Sequence, residues 1–292
     1  MKKSRFIAKA IKTPYWTPKI NYVNIILKVL RGKIRNGDII AISEKALSTA
    51  LGNLIDEQNV KPSLLAKFIA YFWMRIVWGY FLGVLCRLKS ETLIRLRNYP
   101  LSAGAKHKQV ALTYVGFLQA LMWGSEGGID GSNLPYSIVS LPLKNPIEIA
   151  SEIRNVVRKV FGLDISVMIV DTDRTFNFRN FYFTYRRTAF KHIHNFFGFI
   201  AYVLGSVVRL RSWATPVAFV GEEIHVSEAV RIAKLVDRVR GYGVGRNVWE
   251  MAEKFNVRLN EVSWGMLKKV VHKPVVIVRK VHFQRHSKLS RI

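Results

Sequence analysis

The sequence predicts an α/β protein of mixed α+β type, a single compact domain with a mixed sheet and an additional aromatic-rich helical segment. Short apolar, β-branched runs typical of buried strands occur at residues 39–42, 165–170, 215–220 and 275–278. Amphipathic helical stretches alternate with these runs, as in α/β folds. A chain of 292 residues with 50% hydrophobic content can bury one large core. We place the domain at residues 1–280, followed by a basic C-terminal tail at 281–292.

The first buried strand is expected directly after a turn. Asn36-Gly37-Asp38 is a turn signal, and residues 39–42 are a compact apolar run. The polar triplet 43–45 follows, where α/β folds collect functional groups. We expect a short helix at 46–54, with Ser43 as its N-cap.

A helical, aromatic-rich segment is predicted at residues 61–96. Its apolar stretch 68–86 is close to the length of a membrane span, but Arg75 lies at its centre. Two interpretations follow, a buried or half-buried helix and a membrane or membrane-surface segment, and we expect no stable membrane insertion. A second apolar stretch, 196–210, is too short to cross a bilayer and is predicted to be core. Residues 110–123 fit either a strand or a helix.

The second half of the chain continues the alternation. Asn145-Pro146 begins an amphipathic helix that ends at Gly162. The strand at 165–170 follows and is expected to place Asp171 at its end. The remaining predicted elements are a strand at 215–220, helices at 228–240 and 248–255, and a strand at 275–278.

The charge balance favours anionic partners. There are 46 Lys and Arg residues against 19 Asp and Glu, a net charge of +27. Nucleic acid, anionic lipid and phosphorylated small molecules all fit this charge. The single cysteine, Cys86, excludes an internal disulfide and a multi-cysteine zinc site. This cysteine usage is what a reducing compartment favours, so we expect a cytoplasmic protein, and the first residues show no secretory signal.

The strongest local motif is the glycine-rich run at residues 127–133, which contains Asp130. Its glycines allow a tight backbone that brings amide groups and a carboxylate together, as in sites for metal-bound phosphate. An ordinary glycine-rich turn is the alternative.

Asp171-Thr172-Asp173 forms the second motif, directly after the apolar strand. Carboxylates at a strand end can hold Mg²⁺ or Mn²⁺ beside a nucleotide, or can merely cap backbone groups. Taken together, the two motifs favour a metal site built on Asp130 and Asp171.

Two further stretches could bind anions or rings. The loop at 240–246 contains Gly241, Gly243 and Gly245, and its amides could hold a phosphate, although a plain turn between helices is equally consistent. The run at 176–187 alternates aromatic and basic residues, a pattern that stacks bases or a flavin-like ring, or forms a half-buried hairpin. His107, between two lysines, is either an anion ligand or part of a surface loop.

Several motifs together resemble one known family. SEK at 43–45, GIDGSN at 128–133 and DT at 171–172, in this order, are similar to the archaeal-type coenzyme F420-0:L-glutamate ligase (F420-0:gamma-glutamyl ligase) family. Further similar segments are GDIIAISE at 37–44, HKQV at 107–110 and GVGRNVWEMA at 243–252. The resemblance spans roughly residues 13 to 280.

The resemblance implies a GTP-dependent ligase that requires Mg²⁺ or Mn²⁺. In such ligases the nucleotide phosphorylates a carboxylate of the anionic deazaflavin acceptor, and the amino group of L-glutamate then displaces the phosphate. A homodimer is also implied. The implied nucleotide ligands are Ser43, Lys45 and Asn133, with the glycines at 241, 243 and 245 as the nearest counterpart of the family's late loop. The implied catalytic residues are Lys45 and Arg174, and the implied metal ligands are Asp130, Asp171 and Thr172.

The chain departs from the family pattern at two points. Asp173-Arg174-Thr175 replaces a Gly-Arg-Pro turn, and the late glycine loop lacks a glutamine. The first departure implies a loop of a different shape after Asp171, in which Arg174 can still serve. The second bears on the second metal position and on glutamyl transfer. A degenerate family member that binds RNA or DNA without ligase activity is therefore the alternative.

Overall fold

The computed structural model describes residues 5–281 and contains a mixed seven-stranded sheet together with a two-stranded one. The strands are β1 (Arg5–Thr13), β2 (Ile39–Ser43), β3 (Leu54–Asp56), β4 (Ile138–Ser140), β5 (Ser166–Phe178), β6 (Phe181–Thr184), β7 (Ile193–Asn195), β8 (Arg211–Val220) and β9 (His272–Val281). Of the predicted tail at 281–292, Val281 belongs to β9, and residues 282–292 lie outside the described part.

Helices connect most of these strands. They are α1 (Tyr22–Leu30), α2 (Glu44–Ala50), α3 (Leu64–Leu85), α4 (Ser90–Arg97), α5 (Leu101–Tyr114), α6 (Phe117–Ala120), α7 (Pro146–Phe161), α8 (Phe199–Val207), α9 (Val226–Arg240), α10 (Val248–Phe255) and α11 (Trp264–Leu267). Short 3₁₀ turns lie at Glu57–Asn59 and Leu259–Glu261.

The sheet mixes parallel and antiparallel pairs, which confirms the predicted fold class. β2 and β5 are parallel neighbours at the centre, while β9 runs antiparallel to β2 and to the edge strand β1. β5 also pairs antiparallel with β6 and β8, and β6 continues to β7. Every residue of β2 is buried because helices cover both faces of the sheet, which is why β2 is an unbroken apolar run in the sequence.

Each face of the sheet has its own helical layer. On one face, Ile26 of α1 and Val157 of α7 pack with Ile40 and Ile42. On the other face, α9 packs with Ala41, Met168 and Val276. The predicted amphipathic helix from Asn145-Pro146 to Gly162 is confirmed as α7, and Gly162 ends it in the left-handed region at φ 67°.

The strand that carries Asp171 is longer than predicted. β5 continues to Phe178, so Asp171, Thr172 and Asp173 lie within a strand and not at its end. The reason is tertiary pairing: β8 and the β5–β6 hairpin extend the strand, and the β8 register shifts between Asp171 and Arg174 to form a bulge. The prediction that the strand ends at Asp171 was wrong.

The structure corrects the predicted bounds of α2 and decides the secondary structure of residues 110–123. α2 begins at Glu44 and ends at Ala50, and although Ser43 occupies the N-cap position, its side chain makes no capping hydrogen bond. Of the ambiguous residues 110–123, those at 110–114 and 117–120 are helical, in the last part of α5 and in α6, and none is in a strand.

The helix α3, called here the aromatic helix, is half-buried. Its central part, Ile69–Leu82, is π-helical. Met74 and Trp78 are fully buried, and Arg75 donates from Nε to the carbonyl of Tyr99 at 2.8 Å. Within residues 5–281, α3 is the one helix long and apolar enough to span a bilayer by length and composition.

Candidate functional site

The site begins where the two central parallel strands run side by side. Ser43, the last residue of β2, is paired with Val170 of β5, so the SEK segment lies beside Asp171 and Thr172. This pairing brings together two motifs that are far apart in the sequence. The carboxyl end of a parallel strand is where α/β folds place their sites.

Lys45 is anchored to the glycine-rich run. Its Nζ lies 2.5 Å from Asp130 Oδ2 and 2.6 Å from Ser132 Oγ. Asp130 Oδ1 in turn accepts from the Ser132 amide at 2.6 Å. The main chain of Asp130 pairs with Ser140 by hydrogen bonds of 3.2 and 3.0 Å. The run is therefore a fixed loop, joined to α2 through a lysine.

Arg186 forms the buried centre of the site. Its guanidinium donates to both carboxylate oxygens of Glu44, at 2.8 and 2.6 Å, and also binds Asp171 Oδ2. Gly128, at φ 102°, lies against it, and a Cβ at that position would be 3.0 Å from the guanidinium carbon. A glycine is required there because both the backbone angle and the space exclude a side chain.

The pKa values of the two aspartates near Arg186 are shifted in opposite directions. Burial opposes ionisation of Asp171, but Arg186 lowers the pKa of Asp171 below its usual value. Burial, followed by the charge of Asp171, raises the pKa of Asp173 well above its usual value. Asp173 Oδ1 accepts from the Tyr185 hydroxyl at 3.1 Å, and Oδ2 has no hydrogen-bond partner among residues 5–281. The pKa values of these two neighbouring carboxyl groups are therefore shifted in opposite directions.

A second charged cluster fixes the other end of the glycine-rich run. His107 bonds to Glu57 at 2.5 Å and to Glu126 at 2.8 Å, and the buried Lys108 also bonds to Glu126. Burial alone would lower the pKa of His107, but the two glutamates raise it to about 10. His107 is thus an ion-paired residue of helix α5 and not part of a surface loop, while its role as an anion ligand stays a prediction.

Asn133 holds the late glycine loop. Its Nδ2 donates to the carbonyls of Tyr242 and Gly245, at 3.2 and 2.9 Å, and its Oδ1 accepts from the Val244 amide at 2.8 Å. Gly243 has φ 61° and lies so close that a Cβ would be 2.5 Å from Asn133 Oδ1. The side-chain amide of Asn133 therefore holds the loop in place by hydrogen bonds. Its contact with GTP, which the resemblance implied, stays a prediction.

Most of the predicted site residues line one cavity of about 1080 Å³. Those that line it are Ser43, Lys45, Asp130, Asn133, Thr172, Arg174, Gly241, Gly243 and Gly245. Asp171 does not, because its carboxylate is buried against Arg186. The guanidinium of Arg174 lies 5.6 Å from the Tyr202 ring and has no carboxylate partner within residues 5–281.

The cavity wall is basic. Nine lysines and arginines line it against five aspartates and glutamates. Four of those five acids, at positions 57, 126, 130 and 250, are already paired with a histidine, lysine or arginine of the chain. The remaining charge therefore suits an anionic ligand.

The arrangement does not fit the predicted cation between Asp130 and Asp171. Lys45 neutralises the first carboxylate and Arg186 the second. Residues 5–281 also contain no group of three or more His, Cys, Asp and Glu side chains arranged to hold a metal ion. A divalent ion at Asp130 and Thr172 would have to displace the Lys45 ammonium. Metal binding therefore stays a prediction of the resemblance, and the local charges oppose it.

Sequence reasoning missed Arg186 and the role of Glu44. Glu44 belongs to the SEK triplet but was assigned no role of its own. Arg186 belongs to the run at 176–187, where it was considered only as one of several basic residues. A buried arginine between two carboxylates depends on the tertiary structure. The only signal in the sequence was that Glu44 and Asp171, if both buried, would need a positively charged partner.

The fold and the cavity define the class: a mixed α/β protein with a basic cavity at the carboxyl edge of its central parallel strands. The chain belongs to the F420-0:Gamma-glutamyl ligase family, whose family model matches residues 10–194. An uncharacterized protein of Methanocaldococcus jannaschii is 36% identical over 284 residues, covering 93% of this chain and 96% of that protein. The coenzyme F420:L-glutamate ligase of Methanopyrus kandleri is 27% identical over 143 residues, 48% of this chain and 49% of that one. The family prediction is confirmed.

Proposed function

We propose that the chain is a GTP-dependent ligase that joins L-glutamate to coenzyme F420-0, or to a related anionic acceptor, through an amide bond. One observation carries the proposal. In a member of this ligase family, nine of the ten residues assigned to nucleotide, metal or catalysis line a single basic cavity. Homodimer formation, a cytoplasmic location and dependence on Mg²⁺ or Mn²⁺ stay predictions.

Charge and volume support the substrates. GTP, a phosphodiester-bearing deazaflavin and glutamate are all anions, and the lysines and arginines of the cavity wall outnumber its acids. A volume of about 1080 Å³ is at the upper end of the range for small-molecule sites, which suits more than one substrate at a time.

The chemistry has two steps. A carboxylate oxygen of the acceptor attacks the γ-phosphorus of GTP, and GDP leaves, which forms an acyl phosphate. The amino nitrogen of glutamate then attacks the acyl carbon, phosphate leaves and the nitrogen gives up a proton. Lys45 and Arg174 are two of the nine lysines and arginines that line the cavity, and they would stabilise the negative charge that develops on the transferred phosphoryl group.

The alternative of a nucleic-acid-binding protein loses its main support. It depended on the aromatic residues at 176–187 as a stacking platform. The segment is a hairpin whose rings Phe176, Tyr182, Phe183 and Tyr185 are buried, and Arg186 is buried with them. Only Phe178 and Phe181 of its rings are exposed.

The test is a direct assay. Purified protein is incubated with GTP, Mg²⁺ or Mn²⁺, L-glutamate and F420-0, and GDP and the glutamylated product are measured. We expect both products, and their loss in Lys45→Met but not in the exposed-site control Lys9→Met. Folded protein that releases no GDP and forms no product would overturn the proposal.

A further inference from the structure

The aromatic helix exposes an apolar face. Leu64, Phe68, Tyr71, Phe81 and Leu85 are 83%, 55%, 59%, 65% and 52% exposed. Their spacing along the helix places them on the side opposite the fully buried Met74 and Trp78. Only 33% of its most apolar window is buried, whereas the core helix of a soluble protein is mostly buried. This face therefore lacks a partner within residues 5–281.

A neighbouring helix adds to the exposed apolar surface. α8 packs on the aromatic helix through Phe199, whose ring lies 5.3 Å from that of Trp73. Residues on its other side, Leu204 and Val208, are 47% and 61% exposed. The sequence prediction that 196–210 is core is therefore correct only for the side that packs on the aromatic helix and on strands β5 and β6. Contiguous exposed apolar surface is a feature of interaction sites.

Both segments are basic without any acid. No Asp or Glu occurs from residue 58 to 90, which contains five lysines and arginines. None occurs from 174 to 221, which contains seven. Lys61, Lys67, Arg87 and Lys89, at the two ends of the aromatic helix, are exposed. The apolar face is thus framed by cations alone.

We propose that the exposed face of the aromatic helix docks peripherally on an anionic lipid surface. The exposed tyrosines and phenylalanines would enter the headgroup and upper acyl region, where amphipathic rings are favoured. The flanking lysines and arginines would contact anionic headgroups, each contributing attraction that salt screens. The proposal goes beyond the ligase function and does not depend on it.

The structure favours this occupant over a second copy of the chain. Two copies that met through this face would bring together segments with cations and no acids, so their charges would repel. It also favours lying on the surface over spanning. The opposite side of the helix is packed in the protein, with Trp78 Nε1 bonded to the Leu121 carbonyl at 2.7 Å and Arg97 Nε to the Gly79 carbonyl at 3.0 Å.

Docking would leave the cavity close to the membrane. Cys86, Arg87, Leu88 and Lys89, directly after the aromatic helix, line the cavity that contains Lys45. The same stretch of chain therefore joins the proposed lipid-facing surface to the site.

Vesicle sedimentation of the full chain, without detergent, tests the proposal. We expect binding to vesicles of phosphatidylglycerol and phosphatidylcholine in equal parts, about tenfold weaker binding to phosphatidylcholine alone, and a decrease with added salt. Phe68→Ser with Phe81→Ser should weaken binding about tenfold or more, because two exposed rings are removed. The matched control, Ile147→Ser with Val160→Ser, changes apolar residues of 42% and 49% exposure on α7 and should bind as the wild type does.

A charge variant gives a second measurement. Lys61→Glu with Lys67→Glu keeps every ring, and it should lose binding to the anionic vesicles while circular dichroism stays unchanged. Absence of wild-type binding to anionic vesicles would overturn the proposal. So would equal loss in the α7 control. If light scattering shows a dimer that the Phe68 and Phe81 changes dissociate, with no vesicle binding, the face is a contact between copies and the proposal fails. Ligase activity measured without vesicles reports separately on the proposed function.

Discussion

Arg186 and Glu44 form a buried ion pair with two contacts, Nη2 to Oε1 at 2.8 Å and Nη1 to Oε2 at 2.6 Å, across 142 positions of sequence. The pair ties the residue before Lys45 to the strand hairpin and leaves Arg186 free to bind Asp171 as well. The resemblance implied a divalent cation held by Asp130 and Asp171. In the structure, Lys45 and Arg186 supply the positive charge at these two carboxylates.

Replacing Arg186 should strongly destabilise the fold. In Arg186→Met, Glu44 and Asp171 lose their buried partner, and we expect a loss of about 3–5 kcal/mol in the free energy of unfolding, measured with urea. Arg187→Met is the control, because Arg187 is the exposed neighbour. A loss below about 1 kcal/mol would mean that the carboxylates tolerate burial without the arginine.

Removing the charge of Lys45 should strengthen cation binding. The ammonium lies 2.5 Å from Asp130 Oδ2, so Lys45→Met frees that carboxylate. We expect about tenfold tighter Mn²⁺ binding by calorimetry than in the wild type, since one like charge near the site is gone. Tight binding by the wild type that Asp130→Asn abolishes would instead support the metal ligand that the resemblance implies.

Two glycines of the late loop should respond differently to alanine. Gly243→Ala places a Cβ 2.5 Å from Asn133 Oδ1 at φ 61°, so it should disturb the loop and weaken GTP binding about tenfold. Gly241→Ala meets no atom within 4 Å, and should show only the backbone cost, on the order of 1–3 kcal/mol in urea unfolding, because φ 70° with ψ −170° is a conformation that glycine adopts almost alone. Equal effects of the two changes on GTP binding would show that the contact with Asn133 does not shape the nucleotide site.

The stability contributed by His107 should depend on pH. Its pKa is about 10 in the folded protein against 6.5 ordinarily, so its contribution is complete below 6.5 and is lost as the pH rises through 10. His107→Gln should be less stable than the wild type by on the order of 2 kcal/mol near neutral pH, and the difference should shrink at alkaline pH. His192→Gln, which changes an exposed histidine with no carboxylate partner within residues 5–281, is the control. A pH-independent difference would mean that the charge of His107 does not contribute.

The sequence predicted the central elements well because their signals are local. Apolar β-branched runs marked β2 and β8, and the helix α7 carries its own start and stop residues. The extent of β5 was not predictable in this way. Asp171 and Asp173 look like strand-end residues, and only the pairing with β6 and β8 shows that the strand continues.

The sequence predicted which residues line the cavity better than it predicted their hydrogen-bond and ion-pair partners. Residue type and order indicated which side chains gather at the cavity, since motifs report on position in the fold. The partners of those side chains lie far away in sequence: Asn133 bonds to Gly245, 112 positions later, and Asp171 to Arg186 across a hairpin. No local pattern specifies such pairs, so the assignment of Asn133 to GTP did not foresee its role in the loop.

Phe176 links the two halves of the molecule. It lies on β5, the strand that carries Asp171, and it packs with Tyr202 and with buried residues of the aromatic helix. Gly205 leaves room for its ring, since a Cβ there would be 2.5 Å away. The helical segment is consequently no removable appendage. Deleting the helix would expose buried apolar side chains on one face of β5, the strand that contains Asp171 and Thr172. A shortened form of the protein should therefore keep residues 64–85.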